Sequence, residues 1–274
     1  MLIVIFLCLL FSVIGEQSCS FIDDIRMDDY IHTSVQINKY NNFKNNLNTD
    51  ILLKNNPEIE YLEYNTMKFN KMCGSYIMNH NHFADLPSQL DWTKKLNLKE
   101  KTLSSWQEVL VEYTNILNYI KTGNETSFSR KEMIKCSRND FLEDKLFYLV
   151  NRGISFTSNF TSCYHRQNKT RFDTCYSTPI YDRYTIMHIL QKQPVLTFID
   201  VEQFDTRYYS QGILKPVNTK DKLFPVVIMG YGYNKLYKTE YWIVYNYLKN
   251  WGYSGVGYIN RHSFSNIPSY WLEF

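Results

Sequence analysis

Hydrophobic periodicity changes once along this chain, near Pro194, and that change constrains the fold more than any other feature. Upstream, Trp106, Val109, Leu110, Tyr113, Ile116 and Leu117 recur at helical spacing, and Ser104 and Ser105 stand where an N-cap would. A second helix is predicted over Phe141–Val150, stopped by Gly153, and a third over Tyr184–Gln191, ended by Pro194. Downstream, Val195–Ile199, Phe224–Gly230 and Tyr241–Tyr245 are short apolar or alternating runs between Gly, Asn and Lys turns, which predicts strands. Helices first and strands second, in 274 residues with 44% hydrophobic content, predict an α+β protein of two lobes with a cleft between them.

The leading part of the chain has a different texture. Residues 1–15 are apolar and uncharged, ending in Val13-Ile14-Gly15, and read as a signal peptide. No later run approaches twenty apolar residues, so the mature chain is expected to be secreted and free of the membrane. From Glu16 to about Met72 the chain is polar and rich in Asn, Lys and Asp, with helical-looking runs around Tyr40–Leu53 and Ile59–Phe69. Basic residues exceed acidic ones by only three and are dispersed, which argues against a nucleic-acid surface.

Without Cys8, five cysteines remain: Cys19, Cys73, Cys136, Cys163 and Cys175. In an oxidising compartment two bridges and one odd thiol is the natural count. Metal ligation is the rival, but no pair has the C-x-x-C spacing and the histidines are scattered, so no metal or other cofactor is expected. Sequons at Asn124, Asn159 and Asn168 are compatible with a secreted glycoprotein.

Several short segments carry a resemblance when taken together. Leu86-Pro87-Ser88-Gln89-Leu90-Asp91-Trp92, Ser104-Ser105-Trp106, Ser129 to Cys136, Val226 to Gly232, Tyr241 to Asn246 and Asn250-Trp251-Gly252 with Gly257-Tyr258 occur in that order. They resemble, in register, the motifs of papain-like cysteine proteases. Within that family they are most similar to mite group 1 allergen-type enzymes and to the inactive paralogues of parasitic, scabies-type mites. The resemblance runs from about Cys73 to the C-terminus and implies a helical lobe followed by a β-barrel-like lobe. It also implies a division into a signal (1–15), a shortened pro-like segment (16–84), a helical lobe (85–178) and a β-rich lobe (179–274).

Catalysis in that family needs a cysteine thiolate, an imidazole beside it, an Asn that orients the imidazole, and an oxyanion site that includes a Gln amide. By the resemblance, the nucleophile position carries Ser105 and the base position Phe224, or Pro225 if the register slips by one. The orienting position keeps Asn246, followed by Tyr247-Leu248 instead of Ser-Trp. No Gln lies between Gln89 and Gln107, Lys99 is the nearest occupant of the oxyanion position, and Ser137–Lys145 lacks the Gly-Gly ledge on which substrate backbone would pair. The bland reading takes Ser105 as a helix cap, Phe224 as a core aromatic and Asn246 as a turn residue. A rival reading keeps a residual peptidase or hydrolase in which Ser105 is activated by His165, His188 or His262.

The resemblance further implies bridges Cys73–Cys175 and Cys136–Cys163. The family's third bridge is absent on both sides, because Thr102 stands at one partner's position and no Cys follows Cys136 until Cys163. These readings lead to the expectation of a secreted pseudoprotease that binds host proteins, proteases or protease inhibitors as a decoy or interference protein. A storage role for the bare scaffold is the alternative.

Overall fold

The computed structural model describes residues 52–53, 73–76, 86–98, 105–137, 142–164, 168–179, 182–200, 208–215, 223–246, 251–262 and 268–274. The helix expected from Trp106 forms as α1 (Trp106–Thr122), one turn longer than its apolar spacing predicts. It stops where Gly123 turns left-handed at φ 73 and donates its N–H to the Tyr119 carbonyl at 2.8 Å. Ser105 holds the extended N-cap conformation, yet its hydroxyl makes no capping bond. Helix α2 (Arg130–Cys136) starts properly, with Ser129 Oγ accepting from the Glu132 N–H at 3.1 Å. Helices α3 (Leu142–Asn151) and α4 (Arg183–Leu190) lie within one residue of their predicted bounds. Gly153 follows α3 at φ 70, and Asp182 caps α4 through the Thr185 N–H.

One expectation fails at its end. The helical-looking run from Tyr40 to Leu53 closes on a strand, since Leu52–Leu53 form β1, antiparallel to β8 (Tyr209–Gln211). Pairing with β8 in a separate two-stranded ribbon gives those backbone groups partners that the last turn of a helix would lack, and tertiary pairing overrides local propensity. The rest of that run, the run at Ile59–Phe69 and the expected signal lie outside the described residues.

Nine strands make the main sheet. They are β2 (Gly74–Ser75), β3 (Leu90–Asp91), β6 (Thr174–Pro179), β7 (Val195–Asp200), β9 (Ile213–Leu214), β10 (Leu223–Asn234), β11 (Thr239–Tyr245), β12 (Val256–Asn260) and β13 (Pro268–Glu273). Their order is β2-β6-β13-β7-β10-β11-β12-β9, with β3 added on β10. A separate small ribbon pairs β4 (Ile154–Ser155) with β5 (Lys169–Thr170). The main sheet therefore draws β2, β3 and most of β6 from the stretch before residue 179, and the C-terminal β13 runs antiparallel to β6 along its whole length.

The central strand is β10. It pairs with β7 over Leu223–Ile228, with β11 from Val227 on, and with β3 at Gly230 and Tyr231. A register shift between Ile228 and Gly230 makes room for the third partner. Glycine is required at position 230, because a Cβ there would sit 2.0 Å from the Leu90 carbonyl oxygen. Position 257 is similar: a Cβ would meet the Trp251 ring at 2.5 Å, which accounts for the Trp-Gly…Gly-Tyr spacing. The apolar faces of α1, α3, α4 and the sheet share one buried core that includes Trp242, Trp251 and Trp271. Disulfides join Cys73 to Cys175 and Cys136 to Cys163.

Candidate functional site

Helix α1 packs against β10, the central strand of the main sheet. Ser105 heads α1. Its Oγ is buried and, among the described residues, has no hydrogen-bond partner. The indole Nε1 of the next residue, Trp106, is also buried without one, and the Lys145 ammonium lies 5.8 Å from the Trp106 ring centroid. Phe224 is 1% exposed on β10, opposite Ile199 of β7. Asn246 follows the last residue of β11, is equally buried, and donates its backbone N–H to the Gly255 carbonyl at 3.0 Å. Because Tyr245 pairs with Val227, one further step of register sets Asn246 against Val226, on the same face of the sheet as Phe224.

Neither of the two described histidines forms a hydrogen bond with the Ser105 hydroxyl. His188 lies on α4 and His262 just beyond β12. His262 is engaged elsewhere: Arg183 Nη1 lies 2.7 Å from its Nδ1 and Glu240 Oε2 lies 3.1 Å from its Nε2. Arg261 also pairs with Glu240, and its guanidinium sits 5.6 Å from the Trp242 ring centroid. Burial pushes the Glu240 carboxyl up, but the Arg261 and His262 contacts outweigh it and hold the group below the usual range. His165, Lys99, Thr102, Ser104, Tyr247, Leu248 and Cys19 lie outside the described residues. Asn124, Asn159 and Asn168 are all exposed.

Two buried polar arrangements escaped sequence reading. Glu132, fully buried, accepts from Lys169 Nζ, from the Ser155 N–H at 2.9 Å and from the Tyr148 hydroxyl at 2.8 Å. Burial alone would raise its pKa, but Lys169, Ser155 and Tyr148 together hold it below the ordinary glutamate value. The Ser129-x-x-Glu132 spacing is a capping signature that could have flagged Glu132, whereas its pairing with Lys169, 37 residues away, leaves no local signal. The second arrangement joins the first turn of α3 to the C-terminal strand: the Tyr270 hydroxyl donates to Glu143 Oε1 at 2.9 Å, with both side chains buried. Burial and the neighbouring Glu143 drive the Tyr270 phenol pKa upward, so Tyr270 stays a donor.

A cavity of about 140 Å³ opens beside α1, lined among others by Leu98, Glu112, Asn115, Ile116, Tyr119 and Tyr245. Neither Ser105 nor Phe224 nor Asn246 lines it. Both Glu112 oxygens are occupied, one by Arg130 Nη2 at 2.7 Å and the other by Asn115 Nδ2 at 3.2 Å. No group of three His, Cys, Asp or Glu side chains among the described residues could hold a metal ion.

The family model of the papain family cysteine protease matches residues 86–269, well over half of the chain. The chain belongs to the papain family of cysteine proteases. Vignain of Vigna mungo is 27% identical over 203 residues, which cover 65% of this chain and 54% of that protein. Vignain of Phaseolus vulgaris is 27% identical over 193 residues, 62% of this chain and 52% of the relative. The chain thus spans about half the length of these relatives. Digestive procathepsin L 3 of the Tenebrio molitor larval midgut superposes with a TM-score of 0.73 at 19% identity, covering 94% of this chain and 95% of that one. A mite allergen structure, from work on Blo t 1 and Der p 1, gives 0.71 at 16% identity and covers 95% and 100%. At such identities the superpositions establish the fold, which is the papain-like two-lobed α+β architecture that the motifs implied.

Proposed function

We propose that this papain-family chain is a catalytically inactive, secreted homologue that acts by binding, as a decoy or interference protein at a parasite–host interface. One observation carries the loss of catalysis: the Ser105 hydroxyl is buried with no hydrogen-bond partner among the described residues, and the position that the resemblance gives to the base holds Phe224, 1% exposed, whose side chain has no proton-accepting atom. A serine hydroxyl needs a base within hydrogen-bond reach to attack a carbonyl. A hydrolase built on Ser105 therefore finds no support in this geometry.

Two disulfides and the absence, among the described residues, of a helix long and apolar enough to cross a membrane support secretion. The family match begins at Leu86, and this supports reading residues 16–84 as a pro-like segment ahead of the two lobes. Host proteins, proteases or their inhibitors are the partners we assign to the retained scaffold. The purified full chain is to be incubated with fluorogenic peptide substrates beside an active papain relative, then with thiol- and serine-directed activity probes. The expected result is neither turnover nor labelling. Turnover that disappears in Ser105→Ala would overturn the reading.

A further inference from the structure

The β10–β11 hairpin ends in an exposed turn of unusual make-up, Lys235-Leu236-Tyr237-Lys238. Leu236 is 79% exposed, and Tyr237 and the neighbouring Tyr233 are about half exposed. Scattered apolar residues on a surface need no explanation, but these are adjacent, lie at the farthest point of a hairpin and are flanked on both sides by lysines. The turn is held in shape. Asn234 Oδ1 accepts from the Leu236 N–H at 2.9 Å and the Tyr237 N–H at 3.1 Å, and Thr239 Oγ1 donates to the Tyr237 carbonyl at 2.8 Å. Lys238 takes the left-handed conformation at φ 49 that closes the turn.

The same end of the sheet is basic. Tyr241 pairs with Asn260, so Arg261 and His262 follow β12 beside the hairpin, and Arg183 reaches them from α4. The carboxylates described here are already engaged, Glu240 with Arg261 and Asp182 with the Thr185 N–H. Neither Lys235 nor Lys238 has an ion-pair partner among the described residues, and Tyr184, next to Arg183, is half exposed.

We propose that this hairpin tip docks the protein peripherally on an anionic phospholipid surface, with Leu236 and Tyr237 entering the interface while Lys235 and Lys238 meet the headgroups. Aromatic rings favour the membrane–water interface, lysine stems lie along apolar surface while their ammonium groups stay wet, and basic residues are drawn to negative leaflets. A soluble polyanion such as a sulfated glycan would engage the lysines but give no reward for the apolar Leu236 at the apex. The preformed turn lowers the ordering cost of binding. This placement is independent of the catalytic reading above.

The test is co-sedimentation of the full chain with phosphatidylcholine vesicles, with and without phosphatidylserine. The protein should pellet with the phosphatidylserine vesicles and not with phosphatidylcholine alone, and raising salt to about 1 M, where the Debye length is about 3 Å, should release it. Lys235→Gln with Lys238→Gln should weaken partitioning roughly 25-fold, from about fivefold per lysine. Leu236→Asp should abolish it, and the milder Leu236→Ser, at so exposed a site, should weaken it several-fold with an unchanged thermal midpoint. Failure to pellet with either vesicle, or wild-type pelleting by Leu236→Ser, overturns the proposal. So does retention on immobilised heparin without vesicle binding, which would make the basic edge a reader of soluble polyanions.

Discussion

Glu132 and Ser105 are both buried polar side chains close to helix N-termini, yet their surroundings are opposite. Around Glu132 a lysine, a tyrosine and a backbone N–H converge on one carboxylate, and Ser129 caps the helix that carries it. At Ser105 the hydroxyl does not cap α1 and has no hydrogen-bond partner among the described residues. An unpaired buried charge costs far more than a lone buried hydroxyl, whose penalty is about 1–3 kcal/mol. The contrast teaches where the described part of the molecule is organised: the polar network around Glu132 is complete, whereas the head of α1 at Ser105 lacks a side-chain hydrogen bond among the described residues.

Substitutions can break this comparison, and the largest effect belongs to the network. Glu132→Ala leaves Lys169 buried without its carboxylate and should destabilise by about 3–5 kcal/mol in denaturant unfolding. Acid provides a second readout. The Glu132 carboxyl is held below its ordinary value in the folded chain, so the stabilisation it brings is complete above the ordinary glutamate pKa, about 4.3, and is lost as pH falls through the lower folded value. Glu132→Gln should be less stable at neutral pH yet lose less stability between about pH 5 and the acid limit than the parent. Equal acid slopes in the two proteins would remove Glu132 from the account.

Opening the Cys73–Cys175 bridge by Cys73→Ala with Cys175→Ala should cost about 2–4 kcal/mol, because the bridge closes a loop across 102 residues and ties β2 beside β6. Non-reducing peptide mapping checks the pairing itself. Gly230→Ala should cost about 1–3 kcal/mol, since its methyl would press on the Leu90 carbonyl and push β3 off β10. Loss of the 2.9 Å hydrogen bond from the Tyr231 hydroxyl to the Pro87 carbonyl, seen as faster amide exchange near residue 90, would report that displacement.

The smallest effect is expected at the other pole of the comparison. Ser105→Ala removes a hydroxyl that has no hydrogen-bond partner among the described residues and should leave stability within about 1 kcal/mol of the parent, on the stabilising side if anywhere. A loss of more than that would mean the hydroxyl has a partner in solution. Ser105→Cys should likewise yield a thiol that alkylates no faster than an ordinary cysteine, because Phe224 supplies no imidazole to form a thiolate pair.

Much of the architecture was legible in the linear pattern. Helical spacing from Trp106, the Gly153 and Pro194 stops and the apolar runs after Val195 each record a local requirement of backbone geometry or one-sided burial, so they can be read without knowing the fold. Ser105, Phe224 and Asn246 were assigned to site positions only by resemblance in motif order, whereas the glycines at 230 and 257 belong to motifs whose steric reason appears in the folded chain. Tertiary structure alone decided the rest. Leu52–Leu53 become a strand because the distant segment Tyr209–Gln211 pairs with them. Glu132 finds Lys169, and Tyr270 finds Glu143 across 127 residues, because packing brings distant segments together inside a medium where unpaired polar groups are costly. Local periodicity carries no record of such pairings: they follow from which surfaces meet, and that is set by the whole chain at once.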